Sequence, residues 1–567
     1  MLRFNLVRLT LRSCPHRTLS SRPRTRSLIT TPIFYANGAP HIGHAYSVVL
    51  ADFYARAARL SQFDQPELAA RGTVVTLTSG TDEHGYKVAR AAAALSVPPL
   101  ELCDKLSAQF RASFSRLFVQ PDEFIRTTSP RHARVVDALW RRLHRRGFIS
   151  LSVYSGWYCV ADEAFVAPAD VVARPDPADA SRQIHVSRDS GNVVERLDEP
   201  TYVFDLPRVR DAVRAWLHST PAPIRPAERL HEALAMLDSP AAAVPLSISR
   251  PRTRVAWGLP VPGDDSHTIY VWLDALSNYL TALSPDANTI VARLDDDKDS
   301  LAKLGWPATM HVIGKDILRF HAVFWPAFLI AAGLQPPSEL LVHAWWTTPS
   351  GEKVSKSKGN VSHSLADLLE RYEPDALRYF LLRHGGLVND SEFSERLLWK
   401  CRNAELVDRL GNLLSRLTAA NLLPNQVWPP ACSTSTMVHQ ATATAVEAVF
   451  AAVAARRASD ALEAVSVLLR AVNTYVDQEQ PWRIDDAPRK AHVMRAALDG
   501  LHAALVLLQP AMPATCTRAL DFLGIEDCSW RQNAGAFVLQ SGGVVCGGAG
   551  VQFGSTPVLF PRIAQQQ

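Results

Sequence analysis

The chain has 567 residues and a mass of 62.4 kDa, with 47% hydrophobic and 20% charged residues. That balance excludes a wholly disordered or collagen-like polymer, and the length predicts several domains, since one core rarely grows past roughly 250–300 residues. The formal net charge is +5, but seven arginines and no acid lie within residues 1–27. Without them residues 28–567 carry −2, so the basic sign belongs to the leader and not to the body.

Residues 1–27 interleave Leu2, Phe4, Leu6, Val7, Leu9 and Leu11 with Arg3, Arg8 and Arg12, and the first acid of the chain is Asp52. A helix there would be amphipathic and cationic, which is the composition of a mitochondrial transit peptide. A basic tail that binds RNA is the alternative. No membrane span is expected. The most apolar run, Ala322–Leu334, has 13 residues and contains Pro326, short of the roughly 18–20 that a span requires.

Ser27–Tyr35 (SLITTPIFY) is apolar and β-branched and reads as a buried strand. Ala36–Pro40 is a turn, and His44–Leu60 reads as a helix. Val74–Leu77 predicts a second strand, followed by a Gly80–Gly85 loop and a helix over Lys87–Leu95. Strand, helix, strand and helix in this order predict a parallel sheet. The pattern breaks around 146–251, where 167–191 is rich in Pro, Asp and Ser, and resumes at Ile269–Leu280, Met310–Ile313 and a helix over Ile317–Ala332. We read 146–251 as an insertion that splits one α/β domain into halves at 28–145 and 252–389. From Asp390 on, helices are predicted over Glu395–Asn421, Val438–Ala455, Ser459–Glu479 and Arg489–Gln509, giving a helical domain over 390–530 and a Gly-rich tail over 531–567.

Eight cysteines are scattered without a C-x-x-C pair, and no H-E-x-x-H occurs. This argues against a zinc ribbon, a redox dithiol or a zincin, and fits a reducing compartment.

Two motifs carry chemistry. His41-Ile42-Gly43-His44 lies between the first strand and its helix. Two imidazoles there can face a phosphate held at the helix N-terminus, and Gly43 allows close approach. Partial metal ligation and plain surface residues are the other readings of H-x-x-H. Lys353-Val354-Ser355-Lys356-Ser357-Lys358-Gly359-Asn360 is a Gly-flanked loop with three lysines, suited to a polyphosphate, or else a solvated basic turn. No G-x-x-x-x-G-K-[ST] sequence exists; Gly80–Lys87 has one residue too many before its lysine.

HIGH in the first strand–helix turn, paired with a later K-V-S-K-S loop, resembles the class I aminoacyl-tRNA synthetases, with Val354 at the Met position of KMSKS. Four further segments resemble the methionyl-tRNA synthetases: Pro32–His41 (PIFYANGAPH), Gly80–Gly85 (GTDEHG), Tyr270–Leu280 (YVWLDALSNYL) and Gly314–His321 (GKDILRFH). The resemblance covers nearly everything from residue 28 to the end. It implies an α/β fold: a class I synthetase Rossmann-like doubly wound parallel sheet split by a connective insertion, followed by an α-helical anticodon-binding bundle. It further implies a ligase that activates L-methionine with ATP to methionyl-adenylate and transfers it to tRNA(Met) for mitochondrial translation. The mitochondrial matrix is the expected compartment.

By the same resemblance, His41 and His44 would act on the α/β-phosphates, and Lys353 and Lys356 on pyrophosphate. Gly43, Gly314, Asp316 and Ser355 would complete the ATP site, with Mg²⁺ accompanying ATP. Ile33, Tyr35, Trp272, Ala275, Leu276, Tyr279, Ile317 and His321 would line a methionine pocket, where a thioether gains from aromatic and apolar walls. Asp82 would hold the ammonium group. Asn412, Arg416 and Trp482 would read the anticodon by hydrogen bonds and stacking. The sequence departs from many relatives at Trp157–Glu163, where only Cys159 stands in place of cysteine pairs, so no structural zinc is expected. Gln62–Thr73 is longer than usual and is expected to be a surface loop. No further tRNA-binding domain follows the bundle, so a monomer is expected. The rival readings are a synthetase for leucine, isoleucine or valine, which the pocket motifs and short insertion oppose, and an inactive tRNA-binding paralogue, which intact HIGH, Lys353 and Lys356 oppose.

Overall fold

The computed structural model describes residues 26–64, 74–159, 164–166, 168–176, 179–188, 191–296, 301–354, 364–423, 425–430, 437–525, 539–540, 543–544, 553 and 557–561. Six strands form one all-parallel sheet: β1 (Arg26–Tyr35), β2 (Val74–Asp82), β3 (Glu123–Arg126), β4 (Ile224–Arg225), β5 (Met310–Gly314) and β6 (Leu340–His343). Their spatial order is β3-β2-β1-β5-β6-β4. β5 and β6 are buried throughout, as in parallel sheets with both faces covered by helices. Helix α1 (Ile42–Asp64) buries Ala45, Tyr46 and every residue from Val48 to Ala51, so it packs as a core element and not as an amphipathic surface helix. The chain runs outward from β1 to β2 and β3, then returns to place β5 on the other side of β1. The connections therefore diverge between β1 and β5, and a crevice opens at the carboxyl ends of the strands there.

Two boundaries differ from the sequence reading. β1 begins at Arg26, inside the stretch assigned to the leader, because the Arg26 guanidinium bonds Thr76 Oγ1 at 2.9 Å and the Leu283 carbonyl at 2.8 Å. β2 runs on to Asp82, where the sequence suggested that a loop starts at Gly80. Glycine continues this strand because a Cβ at residue 80 would lie 2.0 Å from the Ile125 carbonyl oxygen of β3.

Within 146–251 a second sheet forms apart from the parallel one. Strands over Ile149–Cys159, Ala164–Val166, Glu195–Phe204 and Leu246–Ser247 form a separate antiparallel sheet, and Val171–Asp176 pairs with Asp179–Ser187 as a hairpin. Between them the chain re-enters the main domain, and β4 lies at the edge of the parallel sheet beside β6. A two-residue strand leaves no periodic signal, which is why sequence reading assigned it to the insertion.

Helices α2 (Tyr86–Ala94), α3 (Pro99–Arg116), α4 (Pro130–Arg145), α5 (Val271–Leu276) and α6 (Pro374–His384) complete the frame around the parallel sheet. The helix predicted over Glu395–Asn421 ends at Leu417 and widens to i→i+5 turns over Arg402–Gly411. The bundle then contains α7 (Met437–Ala454), α8 (Ala458–Glu479), α9 (Ala487–Leu508) and α10 (Pro513–Phe522); α10 was not anticipated. By length and composition α7 and α9 could cross a membrane. Every residue of α9 from Val493 to Leu508 is buried, however, which is the burial of a bundle core. Phe553, Leu559 and Phe560 of the tail pack against the bundle core, with Phe553 edge-on to Trp428 at 6.0 Å.

A buried arginine is among the ties between the sheet domain and the bundle. Arg378 of α6 is fully buried. Its guanidinium pairs with Asp52 of α1 at 2.7 Å and donates to the carbonyls of Leu117 at 3.0 Å, Pro510 at 2.8 Å and Ala511 at 2.9 Å.

Candidate active site

The crevice is a cavity of ≈ 360 Å³ at the ends of β1, β2, β5 and β6. The pairing of β1 with β2 slips between Thr30 and Ile33, at Pro32, which has no N–H for the ladder. The four residues after the slip point, Pro32–Tyr35, line the cavity.

At the start of α1 the two histidine rings stack with centroids 3.7 Å apart. The Gly43 amide donates to His41 Nδ1 at 3.1 Å, and the His41 amide donates to His44 Nδ1 at 3.2 Å. Both Nδ1 atoms therefore accept, which leaves the proton of each neutral ring on Nε2. Burial, with His41 and Lys353 nearby, holds the His44 pKa well below 6.5, so this ring is a neutral hydrogen-bond donor near pH 7.

Across the cavity, a Cβ at Gly314 would lie 2.6 Å from Asp316 Oδ1, so a side chain there would push the Asp316 carboxylate from its place. Asp316 Oδ2 accepts from Lys353 Nζ at 3.0 Å, and its Oδ1 accepts from Trp345 Nε1 at 3.2 Å. Lys315 and Lys353 sit 4.0 and 4.6 Å from the Trp345 ring centroid. Lys315 also pairs with Asp390 at 2.7 Å.

The remaining wall is apolar and aromatic. Trp272 of α5 stacks on Phe320 at 3.5 Å and 8°. His321 Nδ1 donates to the Ile317 carbonyl at 3.0 Å, so its Nε2 accepts from Tyr279 Oη at 2.7 Å. Burial lowers the His321 pKa to about 4 and fixes this neutral form. Asp82, 4% exposed, stands at the end of β2 at the edge of this wall.

All the described residues of the expected ATP and methionine sites line this one cavity: Ile33, Tyr35, His41, Gly43, His44, Asp82, Trp272, Ala275, Leu276, Tyr279, Gly314, Asp316, Ile317, His321 and Lys353. Ser355 and Lys356 lie outside the described residues. Sequence reading missed Ser47, Lys87, Asn278, His343 and Trp345, which also line it. Ser47 Oγ and His343 Nε2 are 2.7 Å apart. The run Leu340-Leu341-Val342-His343 after Pro336-Pro337 was a strand signal that would have pointed to His343 and Trp345.

In the bundle, Arg416 lies 5.9 Å from the ring centroid of Trp482, which is 46% exposed, and pairs with Asp477 at 2.6 Å. Asn412 is exposed one helical turn before Arg416, so the three lie on one surface. Cys159 is buried, and residues 160–163 beside it lie outside the description. Among the described residues, His384, Cys401 and Glu405 bring three ligand-type atoms within 4.8 Å of one another. Glu405 there already pairs with Arg383 and accepts from Tyr379 Oη at 2.7 Å.

A doubly wound parallel sheet with HIGH at its first crossover, facing the lysine of a K-V-S-K-S loop across a cleft and followed by a helical bundle, is the architecture of a class I aminoacyl-tRNA synthetase. The family model described as "tRNA synthetases class I (M)" matches residues 27–418, and that described as "Anticodon binding domain of methionyl tRNA ligase" matches 433–567. The chain is 40% identical to the mitochondrial methionine–tRNA ligase of Homo sapiens, over 96% of this chain and 91% of the relative. It is 36% identical to the methionine–tRNA ligase of Rickettsia bellii, over 88% and 92%. A crystal structure of Mycobacterium tuberculosis methionyl-tRNA synthetase bound by methionyl-adenylate superposes with a TM-score of 0.81 at 33% identity, covering 95% of this chain and 100% of that one. The chain belongs to the methionyl-tRNA synthetase family, and its activity is that of a methionine–tRNA ligase.

Proposed function

We propose that this cavity carries out both steps of methionine activation and transfer with the residues it gathers, in a mitochondrial enzyme. The observation that supports the reading is that two residue sets, chosen from separate motifs, meet in one cavity with apolar and phosphate-facing ends. Methionine lies with its thioether among Ile33, Tyr35, Trp272, Ala275, Leu276, Tyr279, Ile317 and His321, and its ammonium on Asp82. Its carboxylate attacks the α-phosphorus of ATP in line, and pyrophosphate leaves. The Nε2–H groups of His41 and His44 donate to the phosphate oxygens as charge shifts onto them. Lys353, with Lys356 and Ser355 of the same loop, neutralises the departing pyrophosphate, and Mg²⁺ enters with ATP as part of the substrate complex. Gly314 allows the adenosine to approach, and Asp316 bonds the ribose hydroxyls. The ribose hydroxyl at the tRNA terminus then attacks the adenylate. Asn412, Arg416 and Trp482 read the anticodon of tRNA(Met). A single cysteine in the insertion, Cys159, supports an enzyme without structural zinc.

Methionine-dependent ATP–pyrophosphate exchange tests the reading. Exchange with methionine is expected, and faster exchange with leucine, isoleucine or valine, or none at all, overturns it.

The leader and the mitochondrial relatives support import into the matrix. Deleting residues 1–25 from a fluorescent fusion is expected to abolish import while leaving thermal stability unchanged. Deleting 1–27 also removes the Arg26 ties and is expected to lower the melting temperature, so the mature N-terminus lies at or before Arg26. Unchanged import on either deletion refutes the transit peptide.

A further inference from the structure

Behind the cavity wall lies a buried polar cluster that the chemistry above does not use. Asp274 of α5 is 1% exposed. Its Oδ2 meets His84 Nδ1 at 2.6 Å, and its Oδ1 meets His132 Nε2 at 2.8 Å. His132 Nε2 also lies 3.1 Å from the Asp274 carbonyl, and its Nδ1 lies 2.8 Å from Thr281 Oγ1. None of Asp274, His84 and His132 lines the cavity. Burial alone would push the Asp274 carboxyl up, but the two histidines outweigh it and hold it at about 2, so the carboxylate is ionised and accepts from both rings.

The cluster connects three elements that bear on the substrate. His84 stands two residues beyond Asp82, His132 lies in the first turn of α4, and Asp274 lies on the helix that carries Trp272, Ala275 and Leu276 to the cavity. Other ties hold the Asp82–Gly85 segment to the parallel sheet and, at Gly85, to the loop that precedes the pocket helix in the chain. The Ala36 amide donates to the Asp82 carbonyl at 2.8 Å, the Glu83 amide donates to Thr127 Oγ1 at 3.0 Å, Arg126 pairs with Glu83 at 2.7 Å, and the Gly85 amide donates to the Trp257 carbonyl at 2.9 Å. The bond from His84 to Asp274 carries the segment across to the pocket helix itself. An apolar core at this place would be as stable as a buried carboxylate or more so. What the carboxylate adds is direction, because two donors on different elements fix it along two axes.

We propose that His84 and His132 are positioning residues which, through Asp274, set the span between Asp82 and the aromatic wall at Trp272–Tyr279, and with it the selection of methionine over amino acids of different side-chain length. The proposal rests on the reading above, in which Asp82 holds the ammonium group and that wall holds the side chain. A ruler of this kind acts on methionine binding and leaves the ATP end of the cavity alone.

The test exploits the two different nitrogens. Asparagine places its amide N–H where histidine has Nδ1, and glutamine places it where histidine has Nε2. His84 bonds through Nδ1, so His84→Asn is expected to keep the methionine KM within about threefold of wild type while His84→Gln raises it about tenfold or more. His132 bonds through Nε2, so the order reverses, with His132→Gln near wild type and His132→Asn impaired. ATP KM is expected to stay within about twofold in all four variants, and the impaired pair to lose discrimination against norvaline, one atom shorter, and ethionine, one atom longer, by about tenfold. The four substitutions are of similar polarity, so a merely structural role gives the same order at both positions. That result, or equal rises in methionine and ATP KM, or methionine KM unchanged throughout, overturns the proposal. Asp82→Asn serves as the separate control: a methionine KM unmoved by that change overturns the pocket assignment itself, whereas a rise there with no amide-order effect overturns the ruler alone.

Discussion

His44→Ala is expected to slow single-turnover formation of methionyl-adenylate by about 10²–10³-fold, the usual cost of deleting one preorganised donor to a developing oxyanion. The ring also packs edge-on to Phe34 at 5.1 Å and Phe110 at 5.2 Å and accepts the His41 amide, so a stability loss of about 1–2 kcal/mol accompanies the change. The rate loss exceeds what such a loosening explains, and His44→Gln separates the two effects. Its amide donor falls near the Nε2 position and is expected to recover most of the rate, whereas His44→Asn, with its donor at the Nδ1 position, recovers little. Because burial, with His41 and Lys353 nearby, keeps His44 neutral, the wild-type rate of this step is expected to show no His44 ionisation near 6.5. A single-turnover rate for His44→Ala equal to wild type would show that the ring is packing alone.

Arg378→Met carries the largest expected effect on stability. The substitution leaves Asp52 with only its neighbour Arg56, at 2.6 Å, and removes donors from three buried carbonyls. Breaking one side of a buried pair typically costs about 3–5 kcal/mol. The three carbonyls belong to the end of α3 and to the link between α9 and α10, so the loss falls at the junction of the catalytic half and the bundle. Thermal unfolding followed by circular dichroism is expected to show a lowered midpoint, and aminoacylation of tRNA to fall further than methionine-dependent exchange. The double variant Arg378→Met with Asp52→Leu is expected to regain part of the stability, since it removes the unpaired charge. A midpoint for Arg378→Met within a degree of wild type would refute this account of the junction.

The lining of the candidate cavity was readable in the sequence because its residues are tied to local signals. HIGH follows a β-branched strand, Asp82 follows another, and Trp272, Ala275, Leu276 and Tyr279 repeat at helical spacing, so each motif states its own position at a strand end or on a helix face. What escaped reading has no local signature. Arg378 looks like any polar residue in a helix, and only the tertiary fold surrounds it with four acceptors. β4 is two residues long. Gly80 resembles a turn glycine, and its strand is revealed only by the approach of Ile125 from β3. His84 could be seen as part of a motif, but its bond to Asp274 spans 190 residues.

The contact between Lys353 and Asp316 places one carboxylate in two relationships. With the ribose hydroxyls on Asp316, as proposed, sugar and lysine compete for the same oxygens. The pair is about one-third to one-half exposed, and ion pairs of that kind contribute little, so displacement is cheap. Ribose binding and detachment of the lysine are then linked functions, and linkage is reciprocal: whatever draws Lys353 toward the phosphates raises the affinity of the sugar site by the same factor. A nucleotide lacking either its hydroxyls or its terminal phosphates loses both parts of this coupling, so recognition of ATP as a whole exceeds the sum of recognising its two ends.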